Sequence, residues 1–367
     1  MTGKPATIKD VAKLAQVSPA TVSNVFSGRK PVDKTLANRV RKAAKALNYE
    51  PDRAASQLRS GKTRIVAMLV PDLNNPFFTS IVAAVEGCLQ EEGYEFIVSS
   101  SNGDEAIENS RLAAMLAWRP AGLVVIPSAD AFPGQGLLER SAIPYVVADR
   151  LTENHAADTV GVDNEAAGAL GAAHFVELGH EKILIAASAL DLANMRGRCA
   201  GAARVLEQHG MPEPEIIQLG HGFEEAVRRL SRRFEQHGQP TAVLALTNVT
   251  TLAVLTALAE RRIAMPGELS LIGFDDYAWM RARFTPLTAI SQPVREIGKA
   301  IWELLSARIE GDQSPPRRVE LSCELMVRSS VARLRGPASE DSPRTTTTSK
   351  DSQERGPPSE ASVGPPA

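Results

Sequence analysis

TIKDVAKLAQVSPATVSNVFSG, residues 7–28, reads as two short helices joined by a tight turn. Thr7 can cap the first helix, with Asp10 three residues on as the acidic partner of a capping box. Val11, Leu14 and Ala15 give that helix an apolar stripe. Ser18 can cap the second, and Pro19 takes its first position, where the missing N–H is harmless. Val22 and Val25 point inward, and Ser27-Gly28 closes the helix. A third helix starts at about Asp33, carries Leu36, Val40, Ala44 and Leu47 at helical spacing, and stops near Asn48-Tyr49-Glu50-Pro51. This is the pattern of a helix-turn-helix, whose second helix lies in the major groove of DNA. Helical spacing puts Pro19, Ala20 and Asn24 on its outward face. Asn24 can pair with a base edge at two points, most naturally adenine, while Pro19 and Ala20 offer apolar contact to a thymine methyl. Lys9, Thr21, Arg29, Lys30 and Arg39 suit phosphates, and Thr7 and Ser18 border the same surface. On spacing alone, a generic three-helix bundle competes with this reading.

Charge is distributed unevenly around that stretch. Residues 1–62 hold thirteen Lys/Arg against four Asp/Glu, a balance of +9, although the whole chain of 367 residues has a formal charge of −2. The remainder therefore sits at −11. A basic segment on an acidic body points to a nucleic-acid module attached to something else. Cys88, Cys199 and Cys323 are odd in number and far apart, without disulfide or zinc spacing. They read as buried free thiols of a reducing cytoplasm. Met1–Asp10 has no apolar signal-peptide core, and no stretch is long and apolar enough for a membrane span. No membrane association is therefore expected.

From Arg64 the texture changes to short apolar runs alternating with amphipathic stretches. Strands are expected at Ile65–Val70, Glu95–Ser100, Gly122–Ile126, Tyr145–Ala148, Lys182–Ala187, Ala242–Leu246 and Leu269–Phe274. Helices fit Pro76–Glu91, Ala106–Trp118, Asn164–Leu178, Arg198–His209, Glu224–Gln236, Thr250–Arg261 and Val294–Ile309. Such alternation means parallel sheets covered on both faces, and this many units implies two α/β lobes. Gly336–Ala367, rich in Pro, Ser, Thr and Gly, has too few apolar residues to build a core and reads as a disordered tail.

The stretch already quoted, followed by PVDKTLANRVRKAAKALNYEPDRAASQL, resembles the DNA headpiece and hinge of the LacI/GalR repressor family. The resemblance continues in register through NNPFF, VVADR, GVDN, ELGHEKI, RCAG, MPGELSLIGFDD and PLTAISQPVREIG, covering residues 7–334. It implies an all-α headpiece (1–50), a hinge helix or linker (51–62), and a two-lobed core like that of periplasmic sugar-binding proteins (63–335), ahead of the tail (336–367). The lobes would be about 63–161 plus 292–320 and about 162–291 plus 321–334, with three crossings between them. In the family, the hinge helix wedges a leucine into the minor groove. The matching residue is Leu58, with Arg59 beside it for a phosphate or the groove.

The resemblance also places an effector pocket between the lobes, at the carboxyl ends of the strands. Carried over by motif, Asn75, Phe77 and Phe78 start one wall, and Asp149 and Arg150 follow the fourth strand. Arg198 opens a helix, Asn248 follows AVLAL, Asp275 ends LIGFD, and Gln292 sits at a crossover. Phe223 is a further candidate. Carboxylate, amide and guanidinium groups around aromatic faces suit a polyol, most naturally a monosaccharide. A sugar acid or sugar phosphate is the alternative. Two departures stand out. Many members have Asn-Asp where this chain has Asn248-Val249, and many have arginine at the position of Asn24.

Other classes fit less well. Ser60-Gly61-Lys62-Thr63 ends like a phosphate-binding loop, but it lacks the earlier glycine and precedes a strand rather than following one. Neither a dinucleotide fingerprint, a nucleophile elbow nor a metal cluster is visible, so no enzyme, cofactor or metal is expected. A periplasmic sugar-binding protein would have no use for residues 1–62. The tail has no leucine heptad of the kind some family tetramers use, which favours a homodimer on operator DNA. The expected protein is a cytoplasmic DNA-binding regulator, a repressor in the first instance, with activation left open.

Overall fold

The computed structural model describes residues 6–27, 30–49, 63–150 and 157–334. Arg29, Leu58, Arg59, the rest of the linker and the tail lie outside the described residues.

Three helices form the headpiece: α1 (Ile8–Ala15), α2 (Pro19–Ser27) and α3 (Lys34–Ala46). Their starts follow the capping chemistry of the sequence. The Thr7 backbone N–H donates to Asp10 Oδ2 at 2.8 Å, and the Thr21 N–H to Ser18 Oγ at 3.1 Å. Asp33 Oδ1 accepts from Thr35 and Leu36 at the head of α3. Val11, Ala12, Ala15, Val22, Val40, Ala43 and Ala44 make the small core. Leu14 does not join it: 53% exposed, it falls off the inward arc that Val11, Ala12 and Ala15 define at 100° per residue.

Beyond the linker, the first sheet comprises β1 (Ile65–Val70), β2 (Glu95–Ser100), β3 (Gly122–Val125), β4 (Tyr145–Ala148), β5 (Asp158–Val162) and β11 (Arg318–Leu321), in the order β11-β5-β4-β3-β1-β2. The second comprises β6 (Ile183–Ala187), β7 (Glu215–Gln218), β8 (Ala242–Ala245), β9 (Ser270–Phe274), β10 (Thr288–Ser291) and β12 (Glu324–Met326), in the order β12-β10-β9-β8-β6-β7. The chain crosses between sheets after β5, after β10 and after β11. Every described pairing is parallel except β10 with β12, where only two residues separate β12 from β11 in the other sheet. So short a link leaves no room for a crossover that would bring β12 in parallel, and the sheets are parallel everywhere else.

Alternation within the strands sends side chains to both faces. Val66, Met68 and Val70 of β1 face α4 (Pro76–Glu91) and α12 (Val294–Glu310), while Ala67 and Leu69 face α5 (Glu105–Ala117) and α6 (Gln135–Ser141). In the second sheet Ile183, Ile185 and Ala187 pack on α7 (Asn164–Glu177) and α8 (Ala193–Gln208). Leu184 and Ala186 pack on α9 (Phe223–His237) and α10 (Asn248–Glu260). A short helix, α11 (Ala278–Arg281), precedes β10. Most expected boundaries move by at most one residue, and two helix starts move further: α8 begins at Ala193 rather than Arg198, and α10 begins at Asn248 rather than Thr250.

Candidate functional site: a headpiece surface and an inter-lobe cleft

On the headpiece, Ser18, Pro19 and Ala20 are exposed at the start of α2, and Asn24 is half-buried one turn on. Ser18 Oγ lies 2.9 Å from Thr21 Oγ1, so both hydroxyls also serve the cap. Thr7 Oγ1 is likewise engaged, donating to Asp10 Oδ2 at 2.6 Å. Lys9, Lys30 and Arg39 are exposed cations around that helix, and Arg39 Nη2 reaches the Gln16 carbonyl at 3.3 Å. One exposed helix start ringed by unburied cations can be set into a major groove while flanking groups meet phosphates.

In the core, the polar candidates converge where strand ends of the two sheets face each other. Asp149 follows β4 and Asp275 follows β9, and the two are built alike. Both hold left-handed backbone, φ +65° and +66°. Each donates its N–H across to the neighbouring strand, Asp149 to Val160 O and Asp275 to Ile290 O, both at 2.9 Å. Both side chains are buried. Burial pushes each carboxyl above the usual carboxylate range, opposed by Arg150 and Arg198 at Asp149 and chiefly by Arg198 at Asp275.

Arg198 is the hub. Its Nε donates to Asn164 Oδ1 at 2.9 Å and its Nη1 to the Leu246 carbonyl at 2.6 Å, while its guanidinium carbon lies 3.9 Å from the centre of the Phe274 ring. It stands in the second turn of α8, not at the helix start. Gln292 Nε2 donates to Asp275 Oδ1 at 2.6 Å. Arg150, also buried, donates from Nη1 to the Pro127 carbonyl at 2.6 Å. Asn248 opens α10 and is buried. Three atoms of this cluster, Arg150 Nε, Asn248 Oδ1 and Gln292 Oε1, are buried with no hydrogen-bond partner among the described residues.

Asn75 caps α4, accepting from Phe77 N at 3.0 Å. Phe77 and Phe78 are 6% exposed and packed on each other, centroids 5.5 Å apart, so they belong to the core. Phe223 stands apart, 39% exposed at the first position of α9.

Several contributors escaped sequence reasoning. Buried Asn194, in the first turn of α8, donates to Asp149 Oδ2 at 3.3 Å from the opposite lobe. Nearby Asp130 accepts from Ala193 N at 3.0 Å and from Arg196 Nη2 at 2.8 Å. A lobe-1 carboxylate thus supplies the N-cap that Leu192 cannot. Placing the helix start at Arg198 hid this turn. Asn164 lies in GVDN and Phe274 in LIGFDD, both within quoted motifs, but neither motif shows that the two residues meet Arg198.

Residues 7–52 match the model of bacterial regulatory proteins of the lacI family, and residues 172–331 match a periplasmic binding protein-like domain. The chain is 32% identical to an HTH-type transcriptional repressor PurR of Vibrio atlanticus over 90% of its own length and 99% of the relative's. It is also 32% identical to the HTH-type transcriptional regulator PtxS of Pseudomonas putida, with the same coverage. Among solved structures, the Lac repressor dimer bound to operator and the anti-inducer ONPF superposes with a TM-score of 0.80 at 25% identity, covering 90% of this chain and all of that one. A CelR–cellobiose complex superposes at 0.65 and 27%, covering 89% and 99%.

A helix-turn-helix headpiece on a two-lobed, periplasmic-binding-protein-like core defines a class of DNA-binding regulators rather than enzymes. The chain belongs to the lacI family of bacterial regulatory proteins. Among the described residues no helix is long and apolar enough to cross a membrane.

Proposed function

We propose that this protein is a cytoplasmic repressor that binds a pseudo-palindromic operator as a homodimer and releases or tightens its grip when a monosaccharide or close derivative enters the inter-lobe cleft. Asp149, Arg198 and Asp275 are its principal ligand groups, with Gln292, Asn248 and Arg150 around them. The headpiece (1–50), linker (51–62), core (63–335) and tail (336–367) divide the work. The observation that carries this reading is the set of partnerless buried atoms, Arg150 Nε, Asn248 Oδ1 and Gln292 Oε1, beside two buried carboxylates. Buried polar atoms find partners in native proteins, and such a mix of donors and acceptors matches vicinal hydroxyls. The CelR complex, with its bound cellobiose, supports the saccharide class. A purine fits less well, because Phe77 and Phe78 are buried and tilted against each other in the core rather than presented as an open flat face.

The homodimer is supported by Phe284, fully exposed beside an apolar groove of Leu255, Leu258, Ile263 and Met265. Calorimetry of the full chain against pentoses, hexoses, sugar acids and sugar phosphates tests the ligand. A neutral monosaccharide should bind in the micromolar range or tighter. Heat only from the acids and phosphates would shift the assignment to the alternative, and a silent panel would refute the pocket.

A further inference from the structure

The end of lobe 1 remote from the cleft has a charge pattern that effector binding does not use. An open cavity of about 1150 Å³ lies there. Its lining includes residues that immediately precede β1, β2, β3 and β4: Arg64, Tyr94, Ala121 and Pro144. It therefore sits at the amino edge of the parallel sheet, opposite the carboxyl edge that holds Asp149. Arg64, Arg119 and Arg140 line it, all exposed, against one carboxylate, Glu310. None of the three arginines is ion-paired among the described residues. Arg64 lies with its guanidinium carbon 5.2 Å from the centre of the Tyr94 ring. On a body whose charge balance is −11, three unpaired guanidinium groups around one opening stand out.

This is also where the DNA-binding segment attaches. Thr63 lines the cavity, and residues 50–62 are all that separate it from the headpiece. Thirteen residues span at most about 45 Å even when fully extended, so this edge of the core stays near any duplex the headpiece holds. We propose that Arg64, Arg119 and Arg140 form a second, sequence-independent DNA contact, in which the core itself meets backbone phosphates flanking the headpiece site. The inference rests on the DNA-binding role of the headpiece and is independent of the effector's identity. The competing account is local. Arg119 and Arg140 stand at the carboxyl ends of α5 and α6, where cations offset the exposed carbonyls. Such a role would affect stability and leave DNA binding alone.

The test needs no knowledge of the operator. Binding of the full chain to a random-sequence duplex is measured between 50 and 200 mM salt for the parent, for Arg119→Gln/Arg140→Gln, and for Arg232→Gln/Arg295→Gln. The last pair removes the same charge from exposed positions on α9 and α12. Each phosphate contact contributes a slope of about 0.9 in log affinity against log salt, or about 3.5-fold over this range. The parent should therefore lose about tenfold more affinity across the range than Arg119→Gln/Arg140→Gln, and the control pair should follow the parent. Adding Arg64→Gln should flatten the slope further. A slope equal to the parent's, or equal flattening in the control pair, would overturn the proposal. So would a lowered melting temperature with unchanged DNA binding.

Discussion

At the scale of single residues, the site depends on placing charge where water cannot reach it. Asp149 and Asp275 both adopt a left-handed backbone that few side chains other than Asn and Asp tolerate. The same local device therefore serves each lobe, and VVADR and GFDD made both residues legible in the sequence. Arg198 was legible for the same reason, as part of a motif. What it touches was not, because Asn164, Leu246 and Phe274 come from three other elements. Arg198 uses all the properties that separate arginine from lysine: two donors in a fixed fork and a flat face on an aromatic ring. Arg198→Lys keeps the charge and loses that geometry. It should weaken saccharide binding by at least tenfold, about 1.4 kcal/mol, in calorimetry on the full chain. Retention of the parent affinity would mean that only the charge of Arg198 matters and that its orientation does not.

At the scale of elements, the cleft is held in shape by contacts that leave no signature in local sequence. Helices α7 and α8 meet through glycines: a methyl on Gly168 would run into the Arg198 carbonyl oxygen, and one on Gly201 into that of Glu165. This close approach fixes the backbone that carries Arg198. Strand β5 went unread because it is short and opens on a charged residue. Asp158 is buried there and accepts from Arg308 of α12 at 2.8 and 3.0 Å and from Arg317 N at 2.7 Å. A buried acid at a strand start makes sense only beside a partner 150 residues away. The edge strands β7 and β11, EIIQ and RVEL, are half charged or polar, and β10, TAIS, is buried yet rich in hydroxyls. EIIQ and TAIS therefore lack period-2 apolar patterning, and RVEL alternates over only four residues, too short a run to stand out as a strand. Arg308→Ala leaves Asp158 buried with its strongest partner gone, and it frees the turn that Arg308 holds through the carbonyls of Asp312, Ser314 and Pro315. Urea unfolding should show a loss of about 3–5 kcal/mol. A change within about 0.5 kcal/mol would mean that the pair does not tie α12 to the sheet.

At the scale of the whole molecule, the layout follows from the alternation read at the start: a basic helical module, then two parallel α/β layers crossed three times. The crossings matter because any rearrangement of one lobe against the other has to be taken up there. Asp130 with α8, and Asp149 with Asn194, already bridge the lobes. An effector that competes with Asn194 for Asp149 replaces one of those bridges, which couples its binding energy to the lobe arrangement. Coupling of this kind amounts to about 1–3 kcal/mol, a 5- to 150-fold change in the other site's affinity. The most direct measurement is the affinity of the full chain for an operator selected from genomic DNA, with and without the saccharide found by calorimetry, in the parent and in Asp275→Asn. That substitution keeps the size of the side chain but replaces an acceptor with a donor, leaving a ligand hydroxyl unpaired in a closed site. The account predicts a shift of at least fivefold in the parent and none in Asp275→Asn, with unliganded operator affinity the same in both. An equal shift in the two proteins would contradict it.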